Sequence, residues 1–307
     1  MHFGVYLPTF GEFADASVLA EFAAEAEAAS WDGVFIWDHL AMWWDRSVPA
    51  VDSWVALSAI AVTTSRVRIG ALVTPIPRRR PWKLARETVS VDRLSGGRLV
   101  VGVGLGANEN EFDAFGEART LATRAAMLDE GLEVLTRLWT GDPFSFAGDH
   151  YAVADAQFYP RPRQTPRIPI WVAGSWPKRA PFRRASRWDG AICALAEPGP
   201  YDTPVGVVAA IRDFVTSERT SGDPFDLVLV TGIPDGTRLT SSARSSSISR
   251  SDSLGGWKMS VRGASVATRV PPGPSKPCGI GFELVHQSAE SANGRPQAHP
   301  TRPSLHL

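Results

Sequence analysis

The sequence predicts an α/β fold whose parallel strands close into a barrel, and three observations carry that reading. Short apolar runs alternate with helical segments from Phe3 to Val230, and such alternation gives parallel strands joined by right-handed crossovers. Polar or glycine residues mark the ends of many of those runs, as they do where one face of a barrel collects its loops into a site. No G-x-G-x-x-G follows the first strand, and no break is long enough to be a linker. An open doubly wound sheet is the other closure that alternation allows. The strand-end residues favour the eight-stranded TIM-type (β/α)8 barrel.

Composition narrows the function classes. The chain has 307 residues, enough for one large core, and is 44% hydrophobic and 21% charged, as globular chains are. A formal net charge of +0 gives no reason to expect nucleic acid or an anionic membrane as partner. Cys193 and Cys278 form neither a disulfide framework nor a metal cluster. No apolar stretch reaches membrane-spanning length. The N-terminus opens directly in a strand pattern with no basic leader. The expectation is a cytoplasmic enzyme.

Phe3–Leu7 is the first strand, stopped by Pro8. Ser17–Ser30 follows as a helix rich in Ala and Glu, with Asp15 or Ser17 as cap. Gly33–Trp37 is the second strand and ends at Asp38-His39; Asp52–Thr63 is the second helix. Val67–Val73 is the third strand, closing at Thr74-Pro75. Pro81 suits the first position of a helix running to Leu94. The stretch Val91–Gly116 organises the rest: a helix ends at LSGG, Arg98–Val103 is an apolar strand, and Gly102, Gly104 and Gly106 permit close approach at its end. Thr120–Trp139 carries a leucine-rich helical stripe. Gly141–Pro166 breaks the rhythm, with FSFAGDHYAV reading as a hairpin inserted between strands four and five. Strands at Ile170–Ala173, Gly190–Leu195 and Phe225–Val230 alternate with helices at Arg179–Arg187 and Pro204–Glu218.

After Thr231 the composition turns to Ser, Arg, Pro and Gly with almost no periodic apolar content. We expect residues 1–232 to be an incomplete barrel lacking its last βα unit, and 233–307 to be a disordered or frameshifted tail. An open apolar barrel edge would be a liability, which favours the shifted frame over a natural tail.

Several stretches resemble the luciferase-like monooxygenase superfamily of flavin- and coenzyme F420-dependent oxidoreductases. They are FGVYLP at Phe3–Pro8, GVFIWDHL at Gly33–Leu40, RVRIGALVTPIPRRRPWKLARE at Arg66–Glu87, LSGGRLVVGVGLG at Leu94–Gly106, EFDAFGE at Glu111–Glu117 and PRIPIWVAG at Pro166–Gly174. The resemblance implies a TIM-type barrel with an insertion near the fourth and fifth strands. It implies a cofactor, FMN or coenzyme F420, and a small organic substrate. With FMN the chemistry is oxygenation; with F420 it is hydride exchange. A reductase would supply the reduced cofactor, and relatives are commonly homodimers.

The residues divide accordingly. His39 at the end of a strand can give a proton or hydrogen bond to a ring nitrogen or substrate oxygen, and the resemblance makes it catalytic, with Asp38 beside the cofactor. Trp43 matches a substrate-side tryptophan; Trp44 could serve equally, or both could form a lid. Val73-Thr74 matches a backbone bulge, sometimes a non-prolyl cis peptide, behind the cofactor ring, which makes Thr74 a cofactor contact. Gly104, Gly106 and Asn108 form the ligand-facing loop. Gly174-Ser175, with Lys178 and Arg179, offers a phosphate site that Tyr151 also touches. The sugar-phosphate dehydrogenases of the family carry a glutamate where Ala107 stands, a departure that argues against that activity; Glu109 is out of register. Glu111, Phe112 and Gly116 hold the loop down. Asp92 and Arg98 read as a structural ion pair, Glu87 as structural, and at least two of Arg78, Arg79 and Arg80 as solvated. Trp37, Trp43, Trp44, Trp171 and Trp176 lie near strand ends or loops, where they could stack on a flat ligand, although core packing explains most tryptophans.

Two other classes stay open. A barrel hydrolase needs paired carboxylates or clustered histidines, and only Asp38-His39 presents itself. A non-catalytic flavoprotein or inactive fragment is the other. The shifted-frame reading predicts that one of the other two frames downstream of Thr231 encodes an amphipathic helix and then an apolar strand. Translating the coding DNA checks it, and finding neither element in either frame refutes it.

Overall fold

The computed structural model describes residues 2–42, 45, 47–106, 109–195, 205–232 and 256–261. These lie in one compact unit, Met1–Arg262. β1 (His2–Leu7) leads through α1 (Ala16–Ala28) to β2 (Gly33–Ile36), and the two strands pair in parallel. α2 (Ser53–Thr63) starts at Asp52, whose carboxylate accepts from the N–H groups of Trp54 and Val55 at 2.9 and 3.0 Å. That cap satisfies two of the donors every helix start leaves open.

The third stave comes in two pieces, β3 (Arg68–Ala71) and β4 (Thr74–Pro75), divided at a cis peptide between Leu72 and Val73. α3 (Pro81–Leu94) returns the chain to β5 (Val101–Gly104). A short α4 (Glu109–Ala114) stands where the sequence reads as a polar loop. α5 (Leu121–Thr140) then leads to an antiparallel hairpin, β6 (Phe144–Ala147) and β7 (Ala152–Ala156). β8 (Ile170–Trp176), α6 (Arg179–Ala185), β9 (Gly190–Leu195), α7 (Val205–Glu218), β10 (Asp226–Gly232) and β11 (Gly256–Val261) complete the described chain.

The large sheet runs β3-β2-β1-β11-β10-β9-β8-β5-β4. Its ends meet, because Ile69 of β3 bridges Leu99 in parallel and the Val100 N–H donates to the Ile69 carbonyl at 2.9 Å. The sheet is therefore a closed barrel of parallel staves. It also extends past the boundary expected at residue 232, and the last strand, expected to be missing, has a stave in its place between β10 and β1. Gly256–Val261 pairs in parallel with β10 and with β1, Trp257 standing opposite Val228 and His2. Backbone ladders on both sides hold this strand, and such ladders do not require an apolar sequence.

Phe35, Leu72, Val100, Trp171, Ile192 and Val228 come from different staves and form one buried cluster, so they fill the barrel interior. Trp171, considered above as a stacking surface for a ligand, is only 1% exposed and packs on Phe35 with ring centroids 5.5 Å apart. Trp176 packs on Phe182 of α6 and Phe214 of α7. Trp43 and Trp44 lie outside the described residues.

The expected Asp92–Arg98 ion pair does not form; each side chain serves a different loop. Asp92 accepts from the backbone N–H groups of Arg163 and Gln164 and from the Gln164 amide, pinning the chain that returns from the hairpin. Arg98 donates to the carbonyls of Ala61 and Thr64 at the end of α2, to Val67 ahead of β3, and to Ser95. One planar guanidinium thus closes a helix end that lacks its own partners. Arg98→Lys and Arg98→Met are each expected to lower the unfolding free energy by about 3 kcal/mol, because buried carbonyls lose their donors. Urea unfolding midpoints measure it; a lysine variant as stable as the parent would show that the fork geometry is unimportant.

Candidate active site

All parallel staves of a barrel end on one face, and their exit loops meet there. The β2 exit carries Asp38 and His39, the β3–β4 junction Leu72 and Val73, and the β5 exit Gly106 followed by α4. Asp38, His39, Gly106 and Glu111 line a common cavity there, with Tyr6, Leu72, Val73, Pro75 and Arg78 completing its wall. The cavity measures about 130 Å³, which takes the edge of a planar ring and not a whole nucleotide.

Glu111 is the centre of its polar wall. The α4 helix presents this carboxylate, 3% exposed, to the β2 exit loop. One oxygen, Oε1, accepts from the backbone N–H groups of Leu40 at 2.5 Å and Ala41 at 3.2 Å and from Arg78 Nη1 at 3.0 Å. The other, Oε2, lies 3.1 Å from His39 Nδ1. Burial pushes the Glu111 carboxyl up, but the hydrogen bonds from His39 and Leu40 and the Arg78 charge outweigh it and hold it at about 2. An ionised carboxylate only accepts, so His39 Nδ1 donates. In the neutral ring Nε2 is then the basic nitrogen.

The arginine triplet corrects the expectation of solvated side chains. Arg78 is 5% exposed, reaches both Glu111 and Glu117, and stacks 4.2 Å from the Phe112 ring centroid. Arg79 is 15% exposed and bonds both Asp38 oxygens at 2.7 and 2.8 Å. Desolvated carboxylates require such partners, and a guanidinium fork supplies them at fixed angles. Glu87 pairs with Lys83 at 2.7 Å. Glu111 and Phe112 do hold the loop, Phe112 lying between the guanidiniums of Arg78 and Arg124.

The remaining predicted residues scatter. Thr74 is fully buried in β4 with its hydroxyl unpartnered, one residue beyond the Leu72–Val73 cis peptide. Gly104 ends β5, where a Cβ would press on Val73. Gly106 has φ +83 and a Cβ there would collide with Phe112, so this glycine is required by packing. Gly174 and Ser175 lie near the C-terminal end of β8, on the face where His39 lies, but do not line the cavity. Gly174 abuts Pro181 and Phe182 of α6. Tyr151 is 4% exposed and sits against α3 and α5, near Trp82 and Gly131, with burial raising its hydroxyl to about 12. Asn108, like Trp43, lies outside the described residues.

Sequence reasoning missed Tyr6 and the pairing of Arg78 with Glu111. The Tyr6 hydroxyl donates to the Leu72 carbonyl, and its ring lies 5.9 Å from that of Trp37, which in turn neighbours His39. A tyrosine inside an otherwise apolar first strand was the available signal. Among the described residues, no group of His, Cys, Asp and Glu is arranged to hold a metal ion. Arg78 Nη2 is buried without a partner beside the cavity, and Thr74 Oγ1 is unpartnered behind it. With Asp38 and His39, these groups fit a planar ring rich in hydrogen-bonding edges, of the flavin or deazaflavin kind.

The model of the luciferase-like monooxygenase family matches residues 1–203. An F420-dependent glucose-6-phosphate dehydrogenase of Amycolatopsis mediterranei (strain U-32) is 34% identical over 177 residues, which are 57% of this chain and 52% of that protein. One of the same name from Beutenbergia cavernae is 32% identical over 246 residues, 78% of this chain and 71% of that protein. Among solved structures, an F420-dependent secondary alcohol dehydrogenase in complex with an F420-acetone adduct superimposes with a TM-score of 0.63 at 22% identity, covering 76% of this chain and 70% of that one. Several of the curated relatives are matched over only 52% to 62% of their own length.

The depressed Glu111 carboxyl ties stability to acidity. Its contribution is complete above its ordinary value of 4.5 and is lost as pH falls toward about 2. Glu111→Ala is expected to cost about 3 kcal/mol at neutral pH, with the difference from the parent shrinking below pH 4.5. Urea unfolding at a series of pH values tests this, and a difference independent of pH would refute it.

Proposed function

The chain belongs to the luciferase-like monooxygenase family, and from that membership we propose that it is an oxidoreductase acting on a small organic substrate with reduced FMN or coenzyme F420. Between the two, F420 is the better supported, since the curated relatives described above bear F420-dependent names. The observation that carries the reading is the joint placement of Asp38, His39 and Gly106 around one cavity at the C-terminal end of the staves. When bound, F420 supplies a hydride donor or acceptor.

The protein's own part is positional and acid–base. Asp38, held by Arg79, and Arg78 present fixed polar groups to one edge of the ring. His39 Nε2 takes the proton from a substrate hydroxyl as the hydride leaves its carbon, or returns it in the reverse direction. Leu72, Val73 and Pro75 give the cavity an apolar wall that keeps water out. Thr74 and Gly104 support that wall from behind; Asn108 is assigned to the ligand-facing loop with Gly104 and Gly106, Gly174, Ser175 and Tyr151 to the cofactor's phosphate-bearing side, and Trp43 to the substrate side. Ala107, where the sugar-phosphate dehydrogenases of the family carry a glutamate, directs the proposal away from a sugar phosphate.

A reductase that supplies reduced cofactor, a cytoplasmic setting and a homodimer complete the proposal. No helix of the described residues is long and apolar enough to cross a membrane. The shifted-frame reading after Thr231 rests on composition alone, because Gly256–Val261 stands between β10 and β1 and the open edge that also argued for it is absent.

Titration with F420, followed by quenching of its fluorescence, and with FMN, followed by absorbance, is expected to show binding of one of them. His39→Ala is expected to slow F420 reduction by a panel of small alcohols about 100-fold or more while changing the cofactor Kd far less. A folded sample that binds neither cofactor would overturn the proposal, and equal activity in the variant would remove His39 from the chemistry.

A further inference from the structure

We propose that Glu111 is a positioning residue that sets the tautomer of His39, a task separate from its anchoring of the loop. The two tasks fall on different oxygens. Oε1 takes the N–H groups of Leu40 and Ala41 and the Arg78 guanidinium; Oε2 takes only His39 among these partners. The division follows from where α4 stands. Its carboxylate enters the β2 exit loop side-on, one oxygen meeting the backbone and the other the ring.

A carboxylate cannot donate, so the bond to Oε2 requires the proton on Nδ1. In the neutral ring Nε2 then bears the lone pair. Were the proton on Nε2, two electron-rich atoms, Nδ1 and Oε2, would face each other at 3.1 Å inside a desolvated wall. Arg78 and its second partner Glu117 keep the arrangement in place: the guanidinium bonds Oε1 and Glu117 while Phe112 covers its face. The ring nitrogen that can take a substrate proton is thereby chosen before any ligand arrives. The choice matters for catalysis only if His39 is the proton-handling group of the proposed function, and the inference rests on that reading there.

Glu111→Gln separates the two tasks. Its amide oxygen in the Oε1 place still accepts from Leu40, Ala41 and Arg78. Its amide NH2 in the Oε2 place now donates, and the favoured His39 tautomer becomes the one protonated on Nε2. The ring is read directly by long-range 1H–15N correlation spectra of protein labelled with 15N-histidine. The sequence holds 6 histidines, so His39→Gln assigns the signal.

The parent is expected to show neutral His39 protonated on Nδ1, and Glu111→Gln to show it on Nε2. The parent protonated on Nε2, or the same tautomer in both proteins, would overturn the proposal. Should the variant fail to fold, the parent spectrum still decides: Nδ1–H supports the proposal and Nε2–H ends it. F420 and FMN titrations of the parent run alongside. Failure to bind either removes the functional reading and leaves the tautomer result standing, so the two failures are told apart.

Discussion

The Glu111 carboxylate is the constraint on which the cavity depends. It joins the loop leaving β2 to the helix that follows β5, two segments that share no ladder. Removing it would leave two backbone donors, a guanidinium and an imidazole N–H facing a dry wall, each costly to bury unpaired. The Arg79–Asp38 pair does the same for the other side of His39. A buried ion pair is weak evidence for stability, since desolvation offsets much of the attraction. Here the two pairs fix directions, holding Asp38 and His39 while the barrel interior below them supplies the apolar burial.

What could be read from the sequence followed from periodicity. Apolar runs alternating with helical stripes placed β1, β2, β3, β9 and β10 within two residues at each end and β5 and β8 within three, because buried staves and amphipathic helices leave period-specific patterns. The cap at Asp15 was legible because a single residue type satisfies it. β11 was not legible: GWKMSV lies in a stretch of serine and arginine, and its place comes from two ladders that no local pattern records. The division of the third stave was also hidden, the break falling at Leu72–Val73, one residue before the Val73-Thr74 bulge the family resemblance implied.

The site was half legible for a related reason. Asp38-His39 stood out because polar residues ending an apolar strand are informative alone. The arginine triplet did not, because its meaning is a matter of partners. Three consecutive basic residues look solvated until Asp38, Glu111 and Glu117, distant in sequence, are brought beside them. Asp92 and Arg98 show the reverse error: nearness in sequence suggested a pair, and each found better partners across a loop.

The glycines of β5 and its exit join these strands of evidence. They first drew attention as room for a ligand, yet protein atoms occupy the space a side chain would need. At Gly102 that space holds Leu72 and the Ala71 carbonyl, and at Gly106 it holds the Phe112 ring. Larger residues would force β5 away from the third stave at Gly102 and lift α4 off the barrel at Gly106. Either displacement would carry Glu111 away from His39, since Phe112 is its chain neighbour and packs under Gly106. Closeness of backbone at this corner is therefore what brings the carboxylate within 3.1 Å of the imidazole. The glycine pattern does bear on the site, through the protein's own packing, by setting the distance between two loops.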